Sequence, residues 1–186
     1  MATEEEANYT KTVLLLTKPC RKLMKKVFLK RVHHKHSSVV DFLNNNRSKI
    51  MRTKHGKTNE DKYFPLAGET NLDEWDIVML YHMITFCHVP SISLHLKSIL
   101  DMRNELAHPG KVLISCSDYR KYQTQIQKFI RDGLAYLKDK ELQNDISEDV
   151  SRINGMAISK DHVELLRNAF ALYMGSLEQR IDGKSL

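Results

Sequence analysis

The sequence predicts an all-α protein, a single helical bundle with an additional C-terminal helical segment. Apolar residues recur at helical spacing along most of the chain, and strand-like alternation is scarce. Glycine and proline number only seven and four in 186 residues, so breaks between elements are few. With 41% apolar and 28% charged residues, the chain can bury one sizeable core. The expected division is a helical domain over 1–138 and a helical extension over 139–186. The extension packs on the bundle or on a second copy.

Taken in order, a first amphipathic helix is expected from Ala7 to Arg31, with Pro19 as a kink. Leu23, Met24, Val27 and Phe28 share its apolar face, and Lys18, Arg21, Lys22, Lys25 and Lys26 lie opposite. Ser37 or Ser38 caps a short helix through Phe42 and Leu43, and Ile50 and Met51 belong to another. The stretch 52–70 reads as a surface loop with one helical turn at Tyr63 and Phe64. Asn71 and Glu74, in capping-box spacing, open a helix that is apolar nearly all round, the expected centre of the bundle. Trp75, Val78, Met79, Met83 and Phe86 are its expected core residues, and His82 reads as a satisfied core histidine. Pro90 and Ser91 separate it from the next helix, which stops at His108 before Pro109 and Gly110. KVLIS then makes a short extended connection. Ser117 caps a helix to Lys138 with Tyr119, Tyr122, Ile126, Phe129 and Ile130 on one face. Leu142, Ile146, Val150 and Ile153 mark another helix, broken at Gly155. Ser159 caps the last, whose stripe runs through Val163, Leu166, Phe170, Tyr173, Met174, Leu177 and Ile181. So long a stripe calls for a surface to cover it.

The composition also narrows the function classes. No apolar run approaches the roughly 20 residues that span a bilayer, and the acidic N-terminus resembles neither a signal nor a transit peptide. The expected setting is cytoplasmic, without a membrane. Cys20, Cys87 and Cys116 are odd in number and far apart, which argues against a disulfide framework. With no paired cysteines or histidines at ligand spacing, no metal and no cofactor are expected; His33, His34 and His36 are at most an adventitious site. The net charge of +6 is uneven: Lys18 to Lys57 hold thirteen basic residues against Asp41 alone, and the rest is net acidic. That asymmetry points to an anionic partner. Lys18, Arg21, Lys22, Lys25 and Lys26 are the candidate RNA-binding face, because such residues contact phosphates without reading bases. The same face also reads as the solvated side of a core helix.

The stretch Ile99 to Gly110, ILDMRNELAHPG, concentrates the chemistry. Ile92, Leu96, Ile99 and Leu106 form one apolar stripe, and Arg103 falls within it. A guanidinium there needs partners, since it keeps its charge and five donors. Asp101, Glu105 and Asp76 are the candidate acids. Asn104 and His108 complete a cluster of cation, amide and imidazole within six residues. Arg103 and His108 stand about 140° apart around a helix, so one chain does not place them on one face.

Arg103, four residues, then His108, with Asn104 after the arginine, resembles the motif of the HEPN superfamily, helical bundles that bind nucleotides. The order of a basic amphipathic helix, LDEWDIVMLYHMITFC and a helix ending in RNELAH is similar to one branch. That branch occurs in the DAZ-interacting zinc-finger ubiquitin ligase and related animal proteins of innate-immunity type, and the likeness covers about Tyr9 to Lys138. Gly110 stands where nucleotidylated toxins of the superfamily carry tyrosine, a departure from that toxin–antitoxin pattern.

The resemblance implies a metal-independent endoribonuclease with Arg103, Asn104 and His108 as catalytic residues and single-stranded RNA as substrate. His108 would act as base or acid, Arg103 would hold the scissile phosphate, and Asn104 would position either. It also implies a homodimer with both motifs lining one cleft. A non-catalytic RNA-binding module is the alternative, as is a protein-interaction module docking through the C-terminal helix.

Overall fold

The first helix begins at a reciprocal cap. Thr3 Oγ1 accepts the Glu6 N–H at 3.2 Å, and the Glu6 carboxylate accepts the Thr3 N–H at 2.8 Å. Glu4, Glu5 and Glu6 complement the helix dipole in the same turn. Helix α1 (Glu4–Leu15) therefore starts three residues before the expected Ala7. Pro19 does not end it: the chain continues through a π-helical turn, Leu16–Cys20, into α2 (Arg21–His33). The wider turn accommodates a residue that has no N–H to donate. The computed structural model describes residues 1–89, 92–108 and 113–169, without the side chains of 93 and 94.

Ser38 caps α3 (Val39–Ile50) by accepting the Asp41 N–H, and this single helix takes in the Ile50 expected to start another. The expected surface loop 52–70 instead contains α4 (Lys54–Thr58) and α5 (Glu60–Tyr63), with Gly56, Asn59 and Tyr63 buried. Thr53 is the cap, its hydroxyl accepting the Gly56 N–H at 2.9 Å. Asn71 caps only a 3₁₀ turn, Leu72–Glu74. The helix itself, α6 (Ile77–Phe86), takes Asp76 as its cap, because Trp75 is extended and turns its indole into the core.

Helix α7 (Ser93–Leu106) stops with Ala107 as its cap, two residues short of the expected His108. Ser115, not Ser117, accepts the Asp118 N–H and caps α8 (Cys116–Leu137). Lys138 takes a left-handed conformation (φ 55°), and Asp139 then caps α9 (Lys140–Gly155). Residues 160–169 are helical, with the Ser159 hydroxyl accepting the His162 N–H. Val163 is buried, whereas Phe170, Tyr173, Met174, Leu177 and Ile181 of the predicted stripe lie outside the described residues.

The fold is an all-helical bundle, and among the described residues there is no strand. Its central element is α2, which packs against α3, α6 and α8, and not the apolar stretch around α6. Helix α6 buries Met79, Leu80, Met83 and Ile84 but leaves Val78 and His82 half-buried, because they border a cleft; Phe86, also half-buried, meets Phe42 edge-on. Phe28 of α2 stacks obliquely with Trp75 at 5.4 Å and meets Phe42 edge-on at 5.6 Å. Leu142, Ile146 and Ile153 of α9 join the same core, so residues 139–155 are continuous with the bundle. No helix among the described residues is long and apolar enough to cross a membrane.

The α2–α8 approach depends on Gly133, where an added Cβ would lie 2.6 Å from Leu23 Cδ2. Gly133→Ala is expected to destabilise the fold by about 1–3 kcal/mol through overpacking. Urea unfolding at fixed pH measures it, and pairing the change with Leu23→Val should recover part of the loss.

Candidate functional site

Along α7, Ile92, Leu96, Ile99 and Leu106 are all buried, and Arg103 shares their seam at 8% exposure. A guanidinium so placed loses most of its hydration, and burial lowers its pKa while Asp76 opposes that shift. Arg103 Nη2 lies 3.7 Å from Asp76 Oδ2, and Nη1 donates to Asn104 Oδ1 at 3.2 Å. The other oxygen of Asp76 accepts the Met79 N–H at 2.8 Å. One carboxylate thus starts α6 and faces the cation of α7. The local pattern DEWD supplies it: Trp75 anchors the chain in the core, and the next residue is the helix cap.

Arg103 and Asn104 form one wall of a cleft of about 590 Å³ between α4, α6 and α7. His108 is exposed one residue beyond the cap of α7 and outside this cleft; its N–H donates to Glu105 O at 3.4 Å. The structure therefore brings Arg103 and Asn104 together and leaves His108 apart. Helix termination at Leu106 is the cause, since the chain turns away before the imidazole.

Two other histidines occupy the cleft. His55 of α4 and His82 of α6 stack with ring centroids 3.9 Å apart and planes 26° from parallel. His55 is held on both nitrogens: Asn59 Nδ2 approaches Nδ1 at 3.4 Å, and Tyr63 Oη lies 2.8 Å from Nε2. The amide is a donor, so Nδ1 accepts and the neutral ring carries its proton on Nε2. Burial, with His82 beside it, pushes the His55 pKa down to about 4. Burial also lowers His82, against the pull of Asp76. Both imidazoles are neutral at pH 7.

Reading the sequence placed His82 inside the core and 52–70 on the surface, and so missed this pair. Two signals were present. Thr53 is a threonine cap before a short turn, and Tyr63 follows His55 by eight residues, about two helical turns. Neither reveals that α4 lies against α6. That placement rests on Gly56, where a Cβ would come within 2.0 Å of Ile50 O.

The basic face of α2 and of the π-helical turn before it is brought together as a second groove of about 590 Å³, lined by Lys18, Arg21, Lys22, Lys25 and Lys26. Asp73 and Asp149 share it. Lys22 Nζ reaches Asp145 at 2.9 Å and Asp149 at 2.7 Å, which raises the lysine and lowers Asp149. Lys25 pairs with Asp73, and Arg21 Nε donates to Trp75 O at 2.8 Å. Lys18 and Lys26 are exposed. The face predicted for RNA thus doubles as a fastening for α9 and the 3₁₀ turn. Among the described residues no group of three or more His, Cys, Asp or Glu side chains is placed to hold a metal ion.

No protein-family model, curated protein or solved structure matches the chain.

Asp76→Ala should cost about 1–3 kcal/mol, since it removes a helix cap and the carboxylate that faces the Arg103 guanidinium. Asp76→Asn keeps the cap and should cost less, and equilibrium denaturation ranks the two. Acidification should also weaken the fold. The His55 pKa is depressed in the folded chain, so its contribution is complete above pH 6.5 and is lost as pH falls toward 4. Allowing for partial solvent access, it amounts to about 1–2 kcal/mol. Thermal melts of the parent and His55→Gln over this range should show a flatter acid limb in the variant.

Proposed function

We propose that this chain is a HEPN-type RNA-processing domain, a metal-independent endoribonuclease whose site is completed by a second copy. The observation that carries this is a buried arginine with a polar neighbour at the end of α7, followed by an exposed histidine. In this reading Arg103 holds the scissile phosphate of single-stranded RNA and offsets charge on its non-bridging oxygens. Asn104 positions the phosphate. His108 takes the proton of the 2′-hydroxyl, whose oxygen attacks phosphorus as the bond to the 5′-oxygen breaks; an imidazolium returns a proton to that leaving oxygen. The products are a 2′,3′-cyclic phosphate and a 5′-hydroxyl. The separation of His108 from the Arg103 cleft within one chain supports the dimer, in which each copy lends its histidine. The setting that goes with this reading is the cytoplasm, in a protein of innate-immunity type.

A second reading, non-catalytic binding of RNA or of a protein partner, is favoured by the internal pairing of Arg103 with Asp76 and of Lys22 and Lys25 with acids. Labelled single-stranded RNA in EDTA separates the two. Cleavage leaving cyclic-phosphate ends, reduced about 100-fold or more in His108→Ala, is the expected result. Undiminished cleavage in that variant, or a monomer at every concentration in sedimentation, would overturn the catalytic dimer. RNA binding without cleavage, weakening steeply with salt and with Lys18→Glu and Lys26→Glu, would establish the second reading.

A further inference from the structure

We propose that the cleft between α4, α6 and α7 is a binding site for a phosphate group, with His82 as the residue that takes up a proton when the anion enters. The proposal rests on the reading of Arg103 as a phosphate-holding residue, but not on cleavage.

The cleft has the necessary parts. Arg103 supplies a fixed cation in its wall, Lys54 a second, and Asn104 an amide. Asp76 is the opposing charge, but one of its oxygens accepts a helix N–H and the other faces Arg103. His82 differs from its stacking partner. His55 is engaged at both nitrogens by Asn59 and Tyr63, whereas neither ring nitrogen of His82 has a hydrogen-bond partner among the described residues. The ring is half-buried and lines the cleft, so its nitrogens are available to a ligand. Two neutral imidazoles in a cationic cleft are a poised arrangement: an oxyanion accepts a hydrogen bond from His82 and favours its protonated form.

The groups facing His82 decide how many protons follow. His55 stacks on it from α4, Tyr81 meets it edge-on along α6, Asp76 lies six residues before it as the cap of α6, and Arg103 and Lys54 share the cleft. Tyr63 from α5 reaches only the far ring. A second positive imidazole 3.9 Å from the first would be repelled, so the pair admits one proton. His82 takes it, because the nitrogens of His55 are already committed.

Sulfate is the first probe, since its charge is constant from pH 5.5 to 8. Calorimetric titration of the intact chain should show sulfate binding that tightens severalfold from pH 8 to pH 5.5. A one-unit rise in an imidazole pKa supplies a limit of about tenfold, reached only well below the free value, which burial already holds down. Repeating it in buffers of different ionisation enthalpy should show proton uptake that peaks at about half a proton per anion for a one-unit rise. His82→Asn should abolish the pH dependence, and His82→Gln gives the same test should the first variant melt early. Competition then identifies the phosphate's source. Adenosine 5′-monophosphate displacing sulfate indicates a nucleotide phosphate, and single-stranded RNA lacking terminal phosphates indicates the backbone. Binding that is absent or independent of pH, pH dependence surviving both variants, or displacement by neither competitor would overturn the site. Sulfate binding of the expected kind without RNA cleavage would retain this site and remove only the nuclease reading.

Discussion

The carboxylate of Asp76 sits where two helices need opposite things from one residue. Helix α6 begins without a partner for its first amides, and Asp76 supplies an acceptor at 2.8 Å. Helix α7 carries Arg103 into an apolar seam, where the cation would be costly without a facing charge, and the same carboxylate faces it at 3.7 Å. Trp75 makes this dual use feasible, because its fully buried indole, donating to the Thr70 hydroxyl at 3.1 Å, fixes the backbone just before the cap. The cleft inherits its shape from this junction. Its α6 and α7 walls are set by Asp76 and Arg103, and its third wall is α4, seated through Gly56.

Charge on α2 serves the fold in a comparable way. Lys22 spans to Asp145 and Asp149 of α9, and Lys30 donates to the carbonyls of Tyr136 and Leu137, where α8 ends. The Lys30 cation satisfies acceptors that the end of α8 leaves open, while Lys22 ties side-chain carboxylates of α9 to α2. Exposed ion pairs of this kind contribute little individually, about 0–1 kcal/mol. Their effect is orientation: α9 lies along α1 with its acidic side toward α2 and its apolar side in the core. A strongly basic helix therefore does not by itself mark a nucleic-acid surface, and Lys18 and Lys26 are the residues on that face still exposed for one.

The histidine pair shows what local sequence cannot express. His55 and His82 are 27 positions apart, and no residue at helical spacing from either one points to the other. Their meeting depends on a glycine that lets α4 approach the end of α3, and on a buried asparagine and tyrosine that clamp one ring. The result is two neutral imidazoles in a polar cleft, held so by burial.

Helical periodicity alone determined that the chain is all-α, that Leu23, Met24, Val27 and Phe28 are core, and that Arg103 would lie in the apolar seam of α7. Capping chemistry located Ser159 and narrowed the start of α3 to Ser37 or Ser38, of which Ser38 is the cap, because a side-chain oxygen before a helix acts within three residues. Where several caps compete, as with Asn71 and Asp76 or Ser115 and Ser117, local rules could not choose; the burial of Trp75 and Ile114 made the choice. Of the acids open to Arg103, tertiary packing set Asp76 opposite the guanidinium at 3.7 Å. Only the fold decided that His82 would share a cleft with Arg103 while His108 would not. Side chains far apart in sequence meet through the docking of whole helices, and that docking is governed by summed burial over many residues.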